Sequence, residues 1–111
     1  MLEQCFAADA SMLVNITGTE EVGPFEGREA IMQLMTDTLA SQTDVRRHVI
    51  SNFFFESEGK STARVVSSLV VFSVENGEIN VIISGMYRDD VAKSDGDWRI
   101  THRRLDLDLP F

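Results

Sequence analysis

The chain has 111 residues, 43% of them hydrophobic and 25% charged, which fits one globular domain (1–111) with a real core and excludes a disordered or fibrous chain. Its net charge of -8 argues against nucleic acid or an anionic membrane as partner, since phosphate binding needs clustered Lys and Arg. The only basic clusters, Arg46-Arg47-His48 and His102-Arg103-Arg104, lie in strand-like runs; no membrane-length apolar run or secretion leader occurs, and single Cys5 cannot pair internally, so a cytoplasmic location is expected.

In chain order, "MLEQCFAADA" reads as the last turns of a helix, "SMLVNIT" as a short strand and "GTEEVGPFEG" as a loop. Ile31, Leu34, Met35 and Leu39 then recur at helical spacing, which predicts an amphipathic helix over about 27–41. Three turn signals follow: Glu58-Gly59, Asn76-Gly77 and Asp95-Gly96. Asn-Gly and Asp-Gly supply the positive φ angles of two-residue hairpin turns. They divide the second half into strands near 45–56, 61–75, 78–93 and 97–108, an antiparallel meander. Strands this long curl or carry bulges, and Gly85 is the expected kink.

Two-residue turns fix a register. Asp95-Gly96 puts Ser94 opposite Asp97, Val91 opposite Ile100, Asp89 opposite His102 and Tyr87 opposite Arg104. Asn76-Gly77 puts Val74 opposite Ile79, Phe72 opposite Val81, Val66 opposite Tyr87 and Arg64 opposite Asp89. One face then carries Val66, Phe72, Tyr87, Trp98 and Ile100, with Arg64, Asp89, His102 and Arg104 towards one end, and it is the expected partner of the helix. The other, carrying Leu69, Val71, Ile82 and Arg103, is the expected subunit interface. A bulge would flip part of this assignment. The turn after Ser57 leaves the face of His48 open.

The segments "CFAADASMLV", "FEGREAI", "RRHVISNFFFE", "GMYRDD" and "DGDWRITHRR" together resemble the SnoaL-like branch of the nuclear transport factor 2-like superfamily, over nearly the whole chain. The resemblance implies an α+β, cone-shaped fold in which a strongly curved antiparallel sheet packs on helices around an apolar cavity. Its relatives include scytalone dehydratase, polyketide cyclases and the small subunit of ring-hydroxylating dioxygenases. Against that pattern the first helix is truncated at Met1. The resemblance also aligns His48 with a pocket histidine used in acid/base chemistry, which favours His48 inside the cone, and sets Gly85, Tyr87 and Asp89 on the branch's G-x-Y-x-D positions.

These readings converge on a cavity for a small hydrophobic or carbonyl-containing molecule. His48, Asp89 and His102 are the candidate acid/base residues of a dehydratase, isomerase or cyclase type of reaction, which needs a base beside a carbonyl and a donor to its oxygen but no cofactor or metal. Tyr87, Trp98, Phe54, Val66 and Arg104 are the candidate lining. The bland alternative for Asp89, His102 and Arg104 is a surface ion-pair network. A second class of function is a non-catalytic assembly subunit. Phe53, Phe54 and Phe55 are consecutive and therefore occupy both faces of a strand, which predicts a second covering layer and a homodimer through an exposed sheet face.

Overall fold

A computed structural model describes residues 2–109. A 3-10 turn at Leu2–Cys5 leads into strands β1 (Phe6–Ile16) and β2 (Val22–Glu26), helix α1 (Arg28–Ser41), and strands β3 (Val45–Glu58), β4 (Thr62–Glu75), β5 (Glu78–Ser94) and β6 (Asp97–Leu107). All six strands form one curved open sheet in the order β2-β1-β6-β5-β4-β3. The meander β3 to β6 is antiparallel as its turns require, while β1 runs parallel to β6 and closes the other side.

The expected N-terminal helix is replaced. Phe6 to Ile16 are extended because Met12 to Ile16 lie continuously beside Arg103 to Leu107, a pairing that saturates the backbone better than an isolated turn. The presumed loop contributes β2, which pairs with β1 around Met12 and Phe25. Gly23–Pro24 is a cis peptide.

Helix α1 buries Ile31 completely and packs Leu34 and Met35 against Phe6, Ala10 and Met12, with Val14, Ile100 and Leu105 completing the core. Leu39, placed on that stripe by spacing, is instead 70% exposed. A second cluster, Leu69, Val71 and Tyr87, shares Leu105 with the first, so both lie on the side of the sheet that faces α1. We call this the helix face and its reverse the outer face.

Both two-residue turns form as expected, with Asn76 at φ 53° before Gly77 and Asp95 at φ 53° before Gly96. The register next to each turn also holds: Val91 stands opposite Ile100 and Phe72 opposite Val81. Further along, each hairpin takes up one extra residue. Past a bulge between Asp90 and Val91, Asp89 faces Arg103, Asp90 faces His102 and Tyr87 faces Leu105. Past a bulge between Val71 and Phe72, Tyr87 faces Ser67 and Arg64 faces Asp90.

A one-residue slip inverts every side chain beyond it. The predicted helix-facing set is therefore split: Tyr87, Asp89, Trp98 and Ile100 are on the helix face, whereas Val66, Phe72, Val81, Arg64, His102 and Arg104 are on the outer face. Leu69 and Val71, expected at a subunit interface, are internal core at 2% and 0% exposure. Gly85 permits the close approach of β6, since a Cβ there would lie 2.4 Å from the Asp106 carbonyl oxygen.

Candidate functional site

On the helix face, Asp89 and Arg103 are direct cross-strand partners, and the guanidinium donates from Nε and Nη2 to the two carboxylate oxygens at 2.8 and 3.1 Å. Their side chains are 10% and 14% exposed, so the pair is nearly dry and its bidentate geometry offsets the cost of desolvating two charges. The guanidinium also stacks 4.0 Å above the Tyr87 ring centroid, with the Phe6 ring 5.7 Å away. Burial pushes the Tyr87 phenol above its ordinary pKa and the neighbouring Asp89 charge adds to this, while Arg103 works against it. The phenol is thus kept protonated as a donor.

On the outer face the neighbouring carboxylate, Asp90, is held by Arg64 through Nε at 2.7 Å and Nη2 at 3.1 Å. Those hydrogen bonds hold its carboxyl below the usual range, with the Arg64 and His102 charges contributing and partial burial opposing. His102 Nδ1 lies 2.5 Å from Ser11 Oγ across the β1–β6 pair. These groups border an open groove of about 620 Å³ between β2 and β4, lined by Ser11, Leu13, Pro24 and Glu26 on one side and by Arg64, Arg88 and Asp90 on the other. A smaller depression of about 290 Å³ adjoins it and shares Arg64, Asp90 and His102.

The three candidate acid/base residues are accordingly dispersed. Asp89 is on the helix face and committed to Arg103, while His102 is on the outer face. His48 stands opposite Val71, hence on the helix face, and is exposed on the edge strand β3. Among the proposed lining residues, Tyr87 is buried and Trp98 is half-exposed on the helix face, Val66 is buried on the outer face opposite Phe54, and Arg104 lines the outer groove. Phe54 itself is 51% exposed. The sequence reading missed Arg103 as the partner of Asp89. A signal for it was present, since adjacent Asp89-Asp90 on β5 and Arg103-Arg104 on β6 place one of each charge on each face, whichever register holds.

A third polar unit sits at the entrance to β3. Ser73 donates to Asp44, and Arg46 Nε donates to the same carboxylate at 3.2 Å. The Ser73 hydrogen bond and Arg46 hold the Asp44 carboxyl below its ordinary value, against the opposing effect of its surroundings. Among the described residues, no cluster of His, Cys, Asp and Glu could hold a metal ion, and no helix is long and apolar enough to cross a membrane.

The family model for the SnoaL-like domain matches residues 1–104. The chain belongs to the SnoaL-like family. No curated protein matches this SnoaL-like domain, but solved structures do. A Novosphingobium aromaticivorans protein described as the β subunit of an aromatic-ring-hydroxylating dioxygenase is 20% identical with a TM-score of 0.82, over 98% of this chain and 75% of that one. A nuclear transport factor 2-like protein with a cystatin-like fold, from the same organism, is 23% identical with a TM-score of 0.78 over 96% and 66%. A third N. aromaticivorans protein, described as a scytalone dehydratase, is 23% identical with a TM-score of 0.73 over 97% and 69%. At these identities the likeness establishes the nuclear transport factor 2-like fold. This SnoaL-like domain spans two thirds to three quarters of their lengths.

Proposed function

We propose that this SnoaL-like domain is an assembly module that pairs with a second copy of itself along the β3 edge. The observation that carries the reading is the state of that edge. β3 is the outermost strand of the sheet, fourteen residues long, and leaves Val45, Val49, Ile50, Phe53, Phe54 and Phe55 each at least 41% exposed. A long apolar edge with unpaired backbone groups invites another strand, and a contiguous apolar patch marks an interaction site.

The charge pattern selects the partner. The strand is basic at its start, Arg46-Arg47-His48, and acidic at its end, Glu56 and Glu58. Two copies running antiparallel bring the basic half of each beside the acidic half of the other, with the phenylalanines near the centre, as an isologous two-fold contact requires. This agrees with the role of a small or β subunit, to which the fold is similar.

Phe54→Asp tests it by sedimentation or light scattering. The wild type is expected to be a dimer that dissociates to a folded monomer in the variant, with an unaltered circular dichroism spectrum. A monomeric wild type at tens of micromolar, or a variant dimer of undiminished affinity, refutes the pairing.

One observation favours a second reading, in which a small hydrophobic or carbonyl-containing ligand is processed by acid/base chemistry: His48, Tyr87 and Trp98 share the helix face. In that reading His48→Ala abolishes turnover with folding and assembly intact, whereas in the assembly reading it weakens the dimer.

A further inference from the structure

We propose that the outer-face groove is a binding site for a small organic oxyanion, held between Arg88 and Arg104. The groove draws together the side chains of Arg64, Arg88 and Arg104 with those of Glu26, Asp90 and Asp106, in a chain of net charge -8.

The arrangement of two of these arginines is unusual for a plain sheet. Arg88 and Arg104 are direct cross-strand partners on one face, and like charges placed opposite each other disfavour the pairing. Their carboxylate partners hydrogen-bond them through Nε and leave the Nη atoms at longer range. Arg88 donates to Glu56 only through Nε, at 3.0 Å, and Arg104 donates to Asp106 only through Nε, at 3.0 and 3.2 Å. Asp106 and Glu21 stand 4.0 and 3.9 Å from the terminal nitrogens of Arg88 and Arg104, beyond hydrogen-bond distance.

Among the described residues, the Nη donors of these two cross-strand arginines therefore make no hydrogen bond. A carboxylate or phosphate takes such donors in bidentate fashion and removes the repulsion between them. The side chains are 42% and 44% exposed, so a ligand reaches them from solvent. The groove's volume of about 620 Å³ lies within the range of small-molecule sites, and Leu13 and Pro24 supply apolar wall for a ligand body. Arg64, whose Nε and Nη2 are occupied by Asp90, and His102, beside Ser11, contribute field. The groove lies between β2 and β4 over β1, β6 and β5, and it touches β3 through the Arg88–Glu56 pair.

The test is a titration of the full chain with phthalate and with phenyl phosphate, by calorimetry or amide chemical shifts at low salt. Saturable binding of one molecule per chain, weakened at least tenfold in Arg88→Gln and in Arg104→Gln but unchanged in Arg99→Gln, supports the site. The tighter of the two probes tells a carboxylate ligand from a phosphate one. Thermal melts of each variant show that it is folded. No saturable binding of either probe, or binding that both arginine variants retain, overturns the proposal.

Discussion

Asp89→Ala should be among the most damaging single substitutions outside the apolar core, and Asp90→Ala one residue away should be mild. The two carboxylates have the same chemistry and nearly the same geometry. Asp89 accepts from Arg103 at 2.8 and 3.1 Å, and Asp90 accepts from Arg64 at 2.7 and 3.1 Å. Burial separates them: side-chain exposures are 10% and 14% in the first pair but 35% and 47% in the second.

Removing Asp89 leaves Arg103 uncompensated between the sheet and Phe6, a change that costs about 3–5 kcal/mol, whereas an exposed pair contributes about 0–1 kcal/mol. With a urea m-value of about 1.5 kcal/mol/M, the denaturation midpoint should fall by about 2–3 M in the first variant and by less than about 0.7 M in the second. The double replacement Asp89→Leu with Arg103→Met removes both charges and should recover most of the loss, because apolar residues of similar volume substitute well for a buried pair. Equal midpoints for Asp89→Ala and Asp90→Ala would refute the claim that burial separates the two pairs. Failure of the double replacement to recover stability would show that the stacking of Arg103 on Tyr87, and not the charge pair, holds the site.

Other outcomes follow from the same geometry. Gly96→Ala places a side chain at φ +85° with nothing within 4 Å, so it should cost only the backbone strain of about 1–2 kcal/mol, while Gly85→Ala must displace the Asp106 carbonyl and should cost more and abolish the nuclear Overhauser contacts between residues 85 and 107. Asp44 and Asp90 both have carboxyls held below their ordinary values, which means that the stability they contribute is present above the ordinary aspartate pKa of about 3.9 and is lost as pH falls through the lowered one. Arg64→Met and Ser73→Ala remove the main cause of each shift, so urea midpoints below about pH 4 should fall less steeply with acid in these variants than in the wild type. An unchanged slope in both would show that these carboxylates do not drive acid unfolding.

What the amino-acid sequence made legible was set by local physics. The helix and all four meander strands lie within a few residues of their expected bounds, because turn chemistry and periodicity are properties of a few adjacent residues. The first strand was legible only in its second half, "SMLVNIT": Phe6 to Ala10, expected as helix, belong to the same strand, and no local pattern in "CFAADASMLV" announces its partner β6, about ninety residues away. The register failed for a related reason. Each extra residue falls in a run with strong β propensity of its own, including Ile82 in one hairpin and Thr101 in the other, and neither run carries a glycine at the bulge.

The failures and successes around the site divide along the same line. Tyr87 and Asp89 were expected on one face of β5, and they share it, because a period of two along a single strand needs no partner. The pairing of Asp89 with His102 depended on counting back from the turn across two strands, and one bulged residue replaced His102 by Arg103. That replacement changes the chemistry available. Beside a histidine, Asp89 would fix a tautomer and assist proton transfer; beside Arg103 its two oxygens instead accept from the guanidinium Nε and Nη2. The same bulge carries His102 and Arg104 to the outer face, where Arg104 meets Arg88, so a single inserted residue turns an expected acid/base pair into a structural ion pair on one side of the sheet and a cross-strand arginine pair on the other.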